Sequence, residues 1–271
     1  MGVYSELYID FIENYPQLIE GTEKFDFMFD MFIALKTTDG VKPNPLIAEF
    51  FKDVFCELHG GDILWAMASA GGYSYNFSFS TLDEALKGFT ALLNYDVNLY
   101  YSPAIFKGWR KDKNVSRINV IYIDIDDVEG VDFSEMDEKG IKDYLYCTYH
   151  LTSAMFPNWL VSSGHGLHLY YIVNTLDLKN EADSKLRALY TDYLITHFRA
   201  DIACRNKSRV LRFPLSRNVK NMEAIKTTRL FHLNPSTDTD IKRLDCYRHP
   251  QSEIDAYIKA CNLIRAEKRK Q

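Results

Sequence analysis

The stretch "INVIYIDIDDVEG", residues 118–130, is an apolar β-strand that runs into three carboxylates, Asp124, Asp126 and Asp127. Strand side chains alternate faces with a period of two. Ile121, Ile123 and Ile125 therefore point one way, and Asp124 and Asp126 share the other face. Asp127 falls opposite that pair and reads as a strand-end residue. Carboxylates at adjacent same-face positions repel, and burying such ions unpaired is costly. A divalent metal ion between them is the simplest remedy. The alternative is a solvated acidic turn that only stops the strand. If the pair is unbalanced, Asp124→Ala or Asp126→Ala relieves repulsion, and stability is expected to hold or rise slightly.

The rest of the chain gives this strand a folded setting. Its 271 residues are 46% hydrophobic, ample for a sizeable core. Five cysteines (Cys56, Cys147, Cys204, Cys246, Cys261) are scattered with no CxxC pair, which points to reduced thiols and a cytoplasmic protein. The first residues lack the basic-then-apolar order of a signal peptide. Residues 63–82 are uncharged but polar and alternating, so no membrane segment is expected. A formal net charge of −5 weighs against nonspecific nucleic-acid binding, yet its distribution is uneven. Residues 201–220 carry Arg205, Lys207, Arg209, Arg212, Arg217 and Lys220 against the single acid Asp201, and "KGWRKDKNVSR" precedes the acidic strand.

Periodicity predicts helices in residues 1–60, where "EKFDFMFDMFIALK" and "LIAEFFKDVFCELHG" carry apolar residues at helical spacing. "ILWAMAS" and "YNFSFS" read as strands joined through Gly71–Gly72, and Ser80–Thr81 open a helix with Asp83 and Glu84 placed for a capping box. The aromatics Tyr73, Tyr75, Phe77 and Phe79 alternate as in a half-buried strand, a reading preferred over base stacking. "VNLYYSPAIF" reads as one further strand, "EMDEKGIKDYLYCTYH" as a helix, and "NWLVSS-GHG-LHLYYIVN" as a hairpin. Asn180 caps a helix to about residue 199 with Leu186, Leu189, Tyr193 and Phe198 on its inner face. "SRVLRF" is a short strand and "QSEIDAYIKACNLIRAEKRK" a terminal helix. Strands and helices mix without strict alternation, so the fold class is α+β. The division is 1–60 as an N-terminal helical region, 61–250 as an α+β core that holds the acidic strand and 251–271 as a C-terminal helix.

Two further pieces carry chemistry. "SGHGLH", residues 163–168, has glycines at 164 and 166 that permit a tight turn and leave backbone N–H groups open to a phosphate; a plain Gly-rich turn is the bland alternative. His168, Tyr170 and Ile172 share one face, so His168 reaches whatever the aspartates hold if the two strands are neighbours. In "DIACRNKSRVLRFPLSRNVK", Arg209 and Arg212 lie three apart in a strand and so point to opposite faces, with only one at any given ligand. A solvated basic loop is the alternative there. Cys147-x-x-His150 and Cys246-x-x-His249 each give half a zinc spacing, too far apart in sequence to favour zinc.

The order Asp-x-Asp strand, Ser-Gly-x-Gly-x-His hairpin, single Asp, then Arg-x-x-Arg-x-Pro resembles the archaeo-eukaryotic primase superfamily, specifically the primase–polymerases of plasmids, phages and other mobile elements. The matching motifs span about residues 119–220. The resemblance implies an RRM-like mixed sheet carrying the active site, packed with an N-terminal α/β unit. It implies a DNA-dependent nucleotidyltransferase that makes or extends primers from NTP or dNTP. Asp124, Asp126 and Asp201 would hold Mg²⁺ or Mn²⁺ as hard oxygen ligands, in a two-metal site whose ions clamp the attacking and leaving oxygens. His168, Ser163 and Gly164 would meet the triphosphate, Arg209, Arg212 and Lys220 would neutralise it, and Arg205, Lys207 and Arg217 would follow a DNA backbone. The implied partners are a single-stranded DNA template and a replicative helicase, in trans or in a missing C-terminal domain. The sequence departs from the family at Pro214-Leu215-Ser216, where Pro-Gly-Thr is usual. A metal-dependent nucleotide-sugar glycosyltransferase shares the Asp-x-Asp strand but not the later motifs. A non-catalytic nucleic-acid-binding module needs no metal at all. A relaxase needs His-apolar-His, whereas "HGLH" has two residues between its histidines.

Overall fold

The computed structural model describes residues 3–55, 57–126, 131–164, 166–219, 225–236 and 238–268, so Cys56, Asp127, His165 and Lys220 lie outside the described residues. In chain order the elements are α1 (Val3–Asn14), α2 (Glu23–Lys36), α3 (Pro45–Val54), β1 (Leu64–Ala70), β2 (Tyr73–Phe79), α4 (Leu82–Leu92), β3 (Asn98–Tyr101), β4 (Ile105–Phe106) and β5 (Val115–Ile125). They continue with α5 (Glu138–Tyr149), β6 (Trp159–Ser162), β7 (Leu167–Asp177), α6 (Glu181–Phe198), β8 (Leu211–Arg212), β9 (Arg217–Asn218), β10 (Lys226–Thr227), β11 (Arg229–His232) and α7 (Gln251–Lys268).

The local rules behind these elements are visible at their ends. Thr81 and Glu84 form the expected capping box at α4, and Asn180 accepts from the Ala182 and Asp183 amides to start α6. Tyr75, Phe77 and Phe79 are buried on β2 while Ser74, Asn76 and Ser78 face out, the half-buried strand of the sequence reading.

Strands β2-β1-β3-β8 form a four-stranded sheet and β11-β6-β7-β5-β4 a five-stranded one. The class is α+β. The five-stranded sheet, expected to be mixed, is antiparallel in every pairing described. The single strand expected over 97–106 splits at Ser102–Pro103: β3 joins one sheet and β4 the other. Proline has no N–H to donate and restricts the residue before it, so a continuous ladder breaks there.

Phe50 and Phe51 of α3 pack between the sheets. Phe50 meets Tyr101, Trp159 and Tyr170, and Phe51 meets Phe89 and Phe213. On α6 the inner face is not the one periodicity selects. Leu186 and Leu189 are exposed, while Arg187, Tyr190, Thr191, Leu194 and Ile195 are buried with Tyr193 and Phe198. The reason is a buried arginine with a structural task in the site. Among the described residues no helix is long and apolar enough to cross a membrane.

Candidate active site

The hairpin β6–β7 lies beside β5, and the antiparallel register sets Asp124 directly across from His168. The alternation argument therefore holds in space: His168 Nε2 is 3.5 Å from Asp124 Oδ1, and both residues are buried. Burial pushes the His168 pKa below its usual range against the pull of Asp124, and the Arg209 and Arg212 charges add to burial. The ring is thus neutral at neutral pH, and its buried Nδ1 has no hydrogen-bond partner among the described residues. A buried polar atom left without a partner is costly.

Gly166 is what allows this closeness. A Cβ there would overlap the Ile125 carbonyl oxygen and lie 3.3 Å from Asp126 Cα, so only glycine lets the hairpin reach the acidic end of β5. Gly164 supplies the turn itself at φ +91°.

Asp201 arrives from the other side. Helix α6 ends with Arg199 in the left-handed region, and the chain doubles back so that the Asp201 amide donates to the Asp124 carbonyl at 2.8 Å. Its side chain caps a short 3-10 turn through the Ala203 amide at 2.9 Å. One oxygen from each of Asp124, Asp126 and Asp201 lies within 4.8 Å of the others. Such a set of hard oxygen donors suits Mg²⁺ or Mn²⁺. Two arginines supply positive charge at the same point. Arg209 bridges Asp124 at 2.6 Å and Asp201 at 2.9 Å, and Arg265, on α7, pairs with the other Asp201 oxygen.

Behind the cluster, the Arg187 guanidinium donates to the carbonyls of Arg205 at 2.5 Å and Cys204 at 2.7 Å. It thereby fixes the turn that follows Asp201. The neighbouring Cys204 thiol is pushed up to about 12 by burial and is inert as a nucleophile at neutral pH.

These groups open onto a cavity of ≈ 600 Å³ lined by Tyr100, Asp124, Asp126, Ser163, Gly166, His168, Arg209, Arg212, Asn218 and Lys268 among others. Arg209 and Arg212 both line it, which corrects the expectation that they face apart. The strand covers only Leu211–Arg212, so alternation does not extend back to Arg209. Arg212 is held by Asn98 Oδ1 at 2.6 Å and Tyr100 Oη at 3.2 Å. Asn218 donates to the Ser163 carbonyl at 3.0 Å and ties the hairpin to this wall. Leu215 takes φ +60°, a left-handed backbone position that residues with a side chain rarely adopt.

The three residues expected on DNA are not in the cavity wall. Arg205 pairs with Asp192, Arg217 with Asp96, and Lys207 donates to Ser184 Oγ at 2.6 Å. Of the zinc half-sites, Cys147 is exposed on α5, while His249 is engaged with Glu253. The four described cysteines are free thiols.

Sequence reasoning missed Arg187, Arg265, Lys268 and Tyr100. Each comes from an element whose pattern carries no mark of the site; the basic last turn of α7 was the only available signal.

No protein-family model matches the chain. A curated replication protein of Clostridium perfringens is 27% identical over 131 residues, 48% of this chain and 31% of that protein. The chain therefore spans about a third of the length of that relative. The similarity in sequence is to a replication protein. Among solved structures, the primase–polymerase (AEP) domain of cyanophage S-2L matches at 15% identity and TM-score 0.47, covering 68% of this chain and 88% of that one. The catalytic domain of primase RepB′ in complex with initiator DNA matches at 17% identity and TM-score 0.44, covering 83% and 98%.

Proposed function

We propose that the chain is a DNA-dependent primase or polymerase that joins nucleotides at the Asp124–Asp126–Asp201 centre. One observation carries the reading: three carboxylates within 4.8 Å of one another face a buried, neutral His168 and two arginines across a single cavity. The order of the motifs in sequence and the replication protein of Clostridium perfringens support it.

A divalent ion, when bound by the three aspartates, would neutralise charge on the transferring phosphoryl group. The chain's own residues do the rest. Arg209 and Arg212 offer fixed donors to triphosphate oxygens, and a planar guanidinium suits phosphate geometry. His168 lines the cavity beside Asp124, and the open backbone around Gly164 and Gly166 leaves N–H groups accessible. Lys220, Arg205, Lys207 and Arg217 remain assigned to phosphates of nucleotide and DNA, Lys220 lying outside the described residues. Strand separation is assigned to a helicase, in trans or in a further part of a longer chain.

The test is incubation with a primed or unprimed DNA template, labelled dNTPs or NTPs, and Mn²⁺. Products that lengthen only when template is present support the reading. Transfer of sugar from a nucleotide-sugar, or binding of DNA with no synthesis, replaces it with one of the other two.

A further inference from the structure

The segment 107–114 has the shape of a built platform. Gly108, at φ +100°, turns the chain, and its carbonyl accepts from Trp65 Nε1 at 2.9 Å. Asn114 closes the loop: its carbonyl accepts from the Lys107 amide at 2.9 Å, and its side chain donates to the Trp109 carbonyl at 2.7 Å. These bonds present Trp109 with 73% of its surface exposed, its ring stacked on the buried Trp65 at 5.3 Å and 24°. A single exposed apolar residue is ordinary. A tryptophan held flat on a second tryptophan by a fixed loop, inside a basic run, is a different matter.

The charges favour one occupant. Lys107, Arg110, Lys111 and Lys113 flank the ring, and the one acid between them, Asp112, accepts from the Ser208 amide at 2.9 Å. Lys107 is taken by Asp62, whereas Lys111 and Lys113 are exposed and make no ion pair among the described residues. Trp65 and Trp109 also line a groove of ≈ 580 Å³ beside α2 and β2, with room for a planar ring. The loop is tied to the catalytic wall as well: Arg110 donates to the Ser208 carbonyl at 3.1 Å, and the next residue, Arg209, holds Asp124.

We infer that Trp109, with Lys111 and Lys113, is a stacking platform for single-stranded nucleic acid on its way to the acidic centre. Every base has a π-face, so the contact is tolerant of sequence, and the lysines meet the phosphates on either side. The inference rests on the proposed function for the direction of the strand but not for the binding itself.

The experiment measures affinity for a labelled oligo-dT by fluorescence anisotropy, with no metal or nucleotide present. Trp109→Leu covers Trp65 but offers no π-face, and Trp109→Phe restores one. The expected result is a roughly 5- to 100-fold weaker Kd for Trp109→Leu, with most of the affinity regained in Trp109→Phe. Both variants should melt with the wild type, because the replaced ring is mostly in solvent. Lys111→Ala should reduce the salt slope by about one unit, while Trp109→Leu leaves the slope unchanged. A Trp109→Leu affinity within twofold of wild type overturns the inference, whatever else binds the patch, and so do equal losses in the Leu and Phe variants. Failure of wild-type template-directed synthesis would sink the catalytic reading and leave these affinities untouched.

Discussion

Gly166→Ala adds one methyl group where the hairpin crosses the end of β5. The new Cβ would overlap the Ile125 carbonyl oxygen and sit 3.2 Å from the Ile125 carbonyl carbon and 3.3 Å from Asp126 Cα. All three neighbours are backbone, so no side chain can swing away. Ordinary carbon contacts need about 3.5–4.0 Å, which puts the required separation of hairpin and strand at roughly 1 Å. Overpacking of this kind costs about 1–3 kcal/mol. In a chain of this size that is a Tm lower by about 2–10 °C. The functional effect should be larger, because the same shift moves His168 away from Asp124 and the Gly164 turn away from the cavity. A misplacement of about 1 Å typically costs on the order of 10²-fold in rate. Single-turnover nucleotide incorporation beside a thermal melt reads both effects. Incorporation within threefold of wild type would show that the close approach of hairpin and acidic strand is not what sets the catalytic geometry.

Three more outcomes follow from the charges. Asp124→Ala should destabilise the fold by about 1–3 kcal/mol in urea titration, with Asp124→Asn milder, because Arg209 loses its 2.6 Å partner in a buried setting. Arg265→Ala should tighten Mn²⁺ binding several-fold by electron paramagnetic resonance titration, since Arg265 pairs with the Asp201 carboxylate of the acidic cluster and competes with an ion for it; unchanged or weaker binding contradicts the competition. For pH, burial lowers the His197 pKa from its usual 6.5, only partly offset by its bond to the Tyr149 carbonyl. Below about pH 6.5 the unfolded chain takes up a proton that the folded chain refuses, so this contribution is present above that pH and lost as pH falls. His197→Phe should flatten the slope of stability against pH in that window, leaving the part that comes from His168.

What could be read from the sequence was what depends on local period. Alternation placed Asp124 and Asp126 on one side of a strand and His168 on its neighbour, and the register confirms the Asp124–His168 pairing. Thr81 and Asn180 announced their helices through cap chemistry alone. Asp201 was recognisable only from motif order, because the turn that carries it depends on a left-handed Arg199 and the Arg187 buttress. Arg209 and Arg212 were assigned to opposite faces because "SRVLRF" was credited with more strand than it forms. The neutral or favourable effect expected of Asp124→Ala assumed an unbalanced acidic pair, whereas Arg209, from a distant part of the chain, pairs with Asp124. Arg187 shows the general limit. Its place on the buried face of α6 follows from three carbonyls it must satisfy, and no hydrophobic period reports that.

The most direct measurement is template-directed incorporation with homopolymer DNA templates, an equal mixture of the four nucleotides and Mn²⁺, run on wild type, Asp126→Asn and Asp201→Asn. The account predicts that wild type incorporates the nucleotide complementary to each template and that both variants, still folded by thermal melt, incorporate none. Incorporation that ignores the template, or persists at near wild-type rate in either variant, would contradict it.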